Sequence, residues 1–442
     1  MNDTAASNSR GNGIWARAEA LAARTPESRN RYVDFLRALS ICAVVFGHWL
    51  MAAPYIDEGS IAISSMLEHQ RWTRWLTWVF QVMPVFFLVG GYSNSISWQS
   101  AQRKGKTYAE WLQLRLQRLA GPVLPLIVTW MILAVGAQWL QMRPEMVKVA
   151  SQMALIPIWF LAVYVMVIIL VPITFAAWKK FGFTSFAVLL IAAVVDDALF
   201  FAADLRDVGW FNYAFVWLAV HQLGYAWRDG YLAGARQGLA WVLAGGAVLI
   251  ALITLGPYPV SMVSVPGEDV SNTLPPKISM LALGIVQCGL LLSIERPMRR
   301  WLSRITPWTA VVLVNSMIMT VFLWHLTAST LAIGVALWFG GVGLHALPGS
   351  GAWWLMRPAW IAVYILFLLP IALGFGRFER SAAASPAYST WRLVLGGVLV
   401  CAGLGLLALE GVAGEGWLGL RTWVLLLLFA GAVIAGINPL RK

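Results

Sequence analysis

Residues 31–53 read RYVDFLRALSICAVVFGHWLMAA. About 20 apolar residues suffice to span a bilayer, and this stretch is long enough. It nevertheless carries Asp34, Arg37 and His48. Ionisable groups at membrane depth are costly, so they face a protein interior or a wet cavity and mark function. Arg37 and His48 stand eleven positions apart. At roughly 100° per residue that is about three turns, so they share a face with a rise of roughly 16 Å. Asp34 lies one turn before Arg37, placed to pair with it. One helical stripe thus holds a carboxylate–guanidinium pair near one membrane surface and an imidazole deep in the other half.

The rest of the chain has the same character. Of 442 residues, 60% are hydrophobic and 12% charged, and the mean hydropathy is +0.72. This composition is that of an all-α polytopic membrane protein and excludes a soluble globule. The 25 tryptophans cluster near span ends, as interfacial aromatic belts do. The net charge of +12 is spread over many short loops, so it does not make a nucleic-acid surface. Cys42, Cys288 and Cys401 fall inside apolar stretches without metal-ligand spacing, and no metal or disulfide is expected. Residues 1–30 lack a signal-peptide core and form an expected cytoplasmic tail. Within them, Ile14 to Arg24 has the pattern of a short amphipathic surface helix.

Twelve apolar spans are expected near 32–53, 73–97, 119–140, 152–177, 182–203, 210–227, 238–256, 277–294, 308–339, 352–374, 392–410 and 416–437. With the N-terminus in the cytoplasm, this alternation puts 24 of the 32 Lys and Arg residues inside. Both termini are therefore expected to be cytoplasmic, in the inner or plasma membrane. Spans seven and eleven are the plainest lipid-facing ones. Span two contains Pro84, Gly90, Gly91 and Asn94, which predicts a kink or a close helix contact. Residues 98–119 predict an amphipathic helix carrying Arg115 and Arg118 one turn apart. The loop 256–277 has five prolines, which suits an ordered outer cap or a rigid surface loop equally.

Arg37, Arg115 and Arg118 fall on one side of the membrane. Three guanidiniums suit a ligand carrying phosphates, although basic residues at an inner surface more commonly set topology. His48 has two readings, a helix-to-helix hydrogen bond or a proton acceptor in catalysis. His325 has similar expected depth, about 17 residues into span nine. Its plainer reading is also a hydrogen bond between helices. Its functional one is a wall of the same cavity, contacting acceptor or oxyanion. For His221, beside Gln222, the plainer reading is favoured. Asp196 and Asp197 point roughly 100° apart, so they are no paired-carboxylate site by themselves. One is a candidate contact for acceptor hydroxyls and the other a partner for Arg206. Glu268 and Asp269 are expected to face solvent.

Arg37 and His48 with ten residues between them, preceded by Asp34, resemble the first helix of the membrane-bound acyltransferase family 3. The Arg-x-x-Arg of Arg115 and Arg118 is similar to that family's. So are Phe86–Phe87–Leu88–Val89–Gly90–Gly91–Tyr92 and the late Trp324–His325. The resemblance covers about 31–374. It leaves 375–442 as a C-terminal helical pair added to a ten-helix core. It implies transfer of an acyl group, often acetyl, from a cytoplasmic acyl-CoA co-substrate to a hydroxyl of an envelope carbohydrate or lipid-linked acceptor, with no bound cofactor. On that implication His48 is the general base, a covalent acyl-histidine being the second variant. Arg37, Arg115 and Arg118 then hold donor phosphates, and Asp34 orients Arg37.

Two other classes compete. Twelve spans with Asp196, Asp197 and His221 inside suit a secondary transporter or flippase with a proton relay. Against it, no internal repeat and no matching broken spans are seen in the two halves. A non-catalytic envelope partner would tolerate a non-basic polar residue at position 48.

Overall fold

The computed structural model describes residues 13–27, 29–232, 234–379 and 388–440. Arg10, Arg380, Arg441 and Lys442, which enter the charge count above, lie outside the described residues, as do residues 1–12 of the N-terminal tail. The described chain is helical apart from a hairpin of β1 (Tyr55–Asp57) and β2 (Ser60–Ala62).

In chain order the helices are α1 (Ile14–Ala23), α2 (Arg31–Met51), α3 (Met83–Arg103), α4 (Tyr108–Ala120), α5 (Val123–Trp139), α6 (Pro144–Leu155), α7 (Ile158–Phe181), α8 (Phe183–Ala202) and α9 (Asn212–Arg228). They continue with α10 (Ala235–Leu255), α11 (Ile278–Ser293), α12 (Glu295–Leu302), α13 (Ile305–Asn315), α14 (Ile318–Trp338), α15 (Gly351–Phe375), α16 (Thr390–Glu410) and α17 (Thr422–Ile434). All twelve expected apolar stretches are helical, but among the described residues nine helical segments are long and apolar enough to cross a membrane. The number is ten if α11 and α12, bent by 54°, are one span. The shortfall has a physical basis. The helix of the sixth expected span, α9, has 17 residues, and α17 has 13, against the roughly 20 a bilayer core requires.

Span nine is not one helix. The chain breaks at Ser316 and Met317 between α13 and α14. The restart is fixed from a distance. The Glu379 carboxylate accepts from the backbone N–H groups of Met319 and Thr320, each at 3.0 Å, and from the Thr320 hydroxyl at 2.8 Å. An anion on the first turn satisfies orphan donors and suits the helix dipole. α13 instead packs with α1, whose Ala18 and Ala22 are buried.

α2 starts under an N-cap, with the Asn30 side chain accepting from the Tyr32 N–H. It packs on α3, α13 and α14. Pro84 sits in the first turn of α3, where a missing N–H costs nothing, so span two is not kinked there. The two glycines make close contacts instead. A Cβ at Gly91 would overlap the His221 carbonyl, and one at Gly90 would run into the Tyr164 ring. α3 and α9 therefore cross backbone to backbone at Gly91 and Gly224. Gly91→Val is expected to cost about 1–3 kcal/mol or more through overpacking. A lower melting temperature in detergent, with less monodisperse protein, is the readout; wild-type behaviour would contradict this crossing.

Thr107 and Glu110 form a capping box at the start of α4, the amphipathic helix that carries both arginines. α10 is largely unburied, as a lipid-facing helix should be, with 17% of its apolar window inside the protein. α16, expected to be equally bare, packs on α7, α4, α6 and α17.

The loop 256–277 is ordered. Trp78 and Gln81 donate to the Val260 and Met262 carbonyls at 2.9 and 3.1 Å, and the Met262 N–H donates to Thr77 at 2.8 Å. Glu268 does not stand free in solvent but pairs with Arg74 at 2.7 Å.

Candidate active site

Asp34 pairs with Arg37, Oδ1 to Nη1 at 3.0 Å, as helical spacing requires. Its other oxygen takes a second arginine, Arg29, at 2.6 Å. That bond and its charge hold the Arg29 guanidinium above its usual value against the cost of burial. Arg29 was not among the expected residues, because it precedes the apolar stretch and hydropathy carries no signal for it. Arg115 lies within Coulombic reach of Arg118, Arg37 and the Tyr164 hydroxyl, and its guanidinium lies over the Trp111 ring at 5.6 Å. Among the described residues neither Arg115 nor Arg118 has an ion-pair partner. Asp34 thus holds two arginines, and Arg115, within Coulombic reach of Arg37 and Arg118, adds positive charge that no carboxylate among the described residues balances, an excess that a polyanion would neutralise.

At the other end of α2, His48 Nδ1 lies 2.8 Å from His325 Nε2. The rings are nearly parallel, 6° apart, with centroids separated by 5.1 Å. His325 Nδ1 lies 2.7 Å from the Phe322 carbonyl oxygen. A carbonyl only accepts, so His325 Nδ1 carries the hydrogen. In a neutral ring Nε2 is then an acceptor, and His48 Nδ1 donates to it. The proton positions follow from this acceptor-only carbonyl. His48 is left with the lone pair of Nε2 free.

Two further contacts hold this end of the helix. The Trp49 indole donates to the His325 carbonyl at 3.2 Å. The buried Arg357 donates to the Ala52 carbonyl at 3.1 Å and lies over the Trp353 ring at 3.9 Å. Arg357 was also missed, although an arginine inside an apolar stretch is the same signal that singled out Arg37.

His48 forms part of the wall of a chamber of about 870 Å³. Asp34, Arg37, Arg115, Arg118, His325, Asp196 and Asp197 are not in that wall. His325 therefore sits behind His48 and not beside a ligand. Its expected depth rested on an unbroken span nine; it lies eight positions into α14 instead, and meets His48 because α14 packs directly on α2.

Asp196 and Asp197 are buried beneath the 256–277 loop. Asp197 accepts from Asn212 at 2.9 Å, Tyr258 at 3.0 Å and the Ile278 N–H at 2.8 Å. The fully buried Lys277 stands 3.8 Å away with its ammonium over the Phe200 ring. Arg206 pairs with Asp204, not with either aspartate. This cluster caps α11 and ties the loop down, and it engages the Asp197 carboxylate; Asp196 is buried beside it with no hydrogen-bond partner for its Oδ2 among the described residues. His221 is a buried structural residue whose Nε2 meets the Asn94 amide at 3.2 Å.

These features describe a helical membrane protein with an arginine cluster at one end of α2 and an oriented imidazole at the other. A family model described as an acyltransferase domain matches residues 30–377, well over half of the chain. The chain belongs to that family, acyltransferase family 3, and is a multi-pass membrane acyltransferase. Neither the curated proteins nor the solved structures returned a significant match. The match carries nothing for a transporter.

Proposed function

We propose that this protein is an O-acyltransferase of the inner or plasma membrane. It takes an acyl group, acetyl first among the candidates, from a cytoplasmic acyl-CoA. It passes that group to a hydroxyl of an envelope carbohydrate or a lipid-linked acceptor. The observation that carries this reading is the chain Phe322 carbonyl–His325–His48, which leaves one lone pair on His48 at the chamber wall.

In this reading Arg37, Arg115 and Arg118 hold the donor phosphates. The roughly 16 Å rise from Arg37 to His48 is spanned by the pantetheine arm. His48 Nε2 takes the proton of the acceptor hydroxyl as its oxygen attacks the thioester carbonyl. The carbon–sulfur bond breaks, and the proton on His48 goes to the leaving thiolate, giving an ester and free CoA. His325 keeps the ring in the competent tautomer and accepts from the imidazolium, as the third member of a nucleophile–base–orienter set does.

The test is acyl transfer in membranes or liposomes containing the full chain, with radiolabelled acetyl-CoA. Label is expected in envelope material. Absence of transfer with acetyl, propionyl and longer donors would remove the reading.

A further inference from the structure

The chamber at His48 is far larger than a two-carbon group requires, and near the upper end of the roughly 300–1,000 Å³ usual for ligand pockets. Among the described residues lining it there is no Asp, Glu, Lys or Arg. Four of its amide and hydroxyl side chains are already engaged. Gln81 donates to Met262, Thr273 to the same carbonyl at 2.6 Å, Thr77 to Arg74, and Gln152 to the Leu409 carbonyl. A bare polyol placed there would leave water without replacement partners for its hydroxyls, which is costly. A hydrocarbon chain loses nothing and gains burial.

The exposed members of the wall include Ile63, Trp72, Leu76, Trp210 and Leu274. These are large apolar side chains, so the opening suits a hydrocarbon surrounding. Part of the wall comes from beyond the acyltransferase domain. α16 supplies Cys401, Gly405, Ala408 and Leu409, facing Ala162 and Met166 of α7. A Cβ at Gly405 would meet nothing nearer than the Ala162 Cβ at 4.0 Å.

We propose that the chamber holds the hydrocarbon chain of a membrane-lipid acceptor and that α16 is the wall that limits it. This rests on the acyltransferase reading of His48 and narrows its acceptor to one that carries a chain. A donor's own acyl chain shares the chemistry. The apolar opening favours the acceptor, because a molecule arriving from the bilayer brings its chain with it, whereas acyl-CoA arrives through water.

The test is photolabelling of the full-length protein in phospholipid nanodiscs. The probe is a phospholipid with a diazirine near the end of one chain, and the labelled residues are mapped by mass spectrometry. Labelling of Met153, Met166 and Leu409 is expected at least tenfold above that of Leu243 on the lipid-facing α10. At equal membrane mole fraction hexadecanol should displace it, and octanol less well, since the longer chain makes more packing contacts along the chamber. Gly405→Phe should lower chamber labelling about tenfold, Gly405→Leu less, and Gly405→Ala hardly at all. The graded series keeps the test valid should the largest side chain prevent folding. Equal labelling of chamber and α10 would overturn the proposal. So would displacement by hexadecanoyl-CoA that disappears in Arg115→Ala/Arg118→Ala, which would give the chamber to the donor's acyl chain. The readout needs no turnover. A wild type that labels here yet transfers no acyl group would keep the chain site and remove the acyltransferase reading.

Discussion

His48→Ala is expected to lower acyl transfer about 100- to 10,000-fold, the range a positioned general base contributes. The loss should fall on kcat, with the KM for acyl-CoA little changed, because the arginine cluster lies about three turns away along α2. Two companions separate the base from its support. His48→Gln keeps a polar side chain but no base, and should be as inactive as alanine. His325→Gln can still accept from His48 Nδ1 through its amide oxygen and should retain partial activity. His325→Phe removes the acceptor, so the preferred tautomer of His48 is lost and the rate should fall further. Full activity in His48→Gln would mean that the histidine is only a helix-to-helix bond, and the mechanism would be wrong.

The second large effect is expected at the opposite end. Arg115→Ala with Arg118→Ala should raise the donor KM about 100-fold or more. Each charge-assisted hydrogen bond lost costs about 1.5–3 kcal/mol, or roughly one to two decades. kcat at saturating donor should change much less. Donor binding by the wild type should weaken with ionic strength, and the double variant should show a shallower dependence. Arg115→Lys keeps the charge but loses the planar fork, so an intermediate KM is expected. Isothermal titration with acetyl-CoA reads this without turnover. Unchanged affinity in the double variant would return these arginines to the role of topology signals.

Much of this arrangement was legible in the sequence because it is local. Asp34, Arg37 and His48 belong to one helix, and helical spacing alone puts them on one stripe. The capping box and the two arginines of α4 are likewise a short-range pattern. What hydropathy does not report is interruption. Residues 308–339 carry no Asp, Glu, Lys or Arg, and the break at Ser316 and Met317 is held by Glu379, about 60 positions away. Asp197 looked available because its partners Tyr258, Lys277 and Ile278 lie in another part of the chain. The contact between His48 and His325 spans 277 positions. Equal depth suggested their proximity, but the direction of the hydrogen bond depends on the Phe322 carbonyl. No spacing rule reveals that.

The chamber divides its labour along the chain. Its histidine comes from α2, inside the acyltransferase domain, while one of its walls comes from α16, outside it. On the proposed function, chemistry and dimension are therefore drawn from different parts of the chain. α16 also packs on α4, and Gln117 of α4 donates to the Asn438 carbonyl at 2.6 Å, so the tail that bounds the space before His48 also braces the helix that carries Arg115 and Arg118. A change in the tail that reshapes the chamber is felt at those arginines as well.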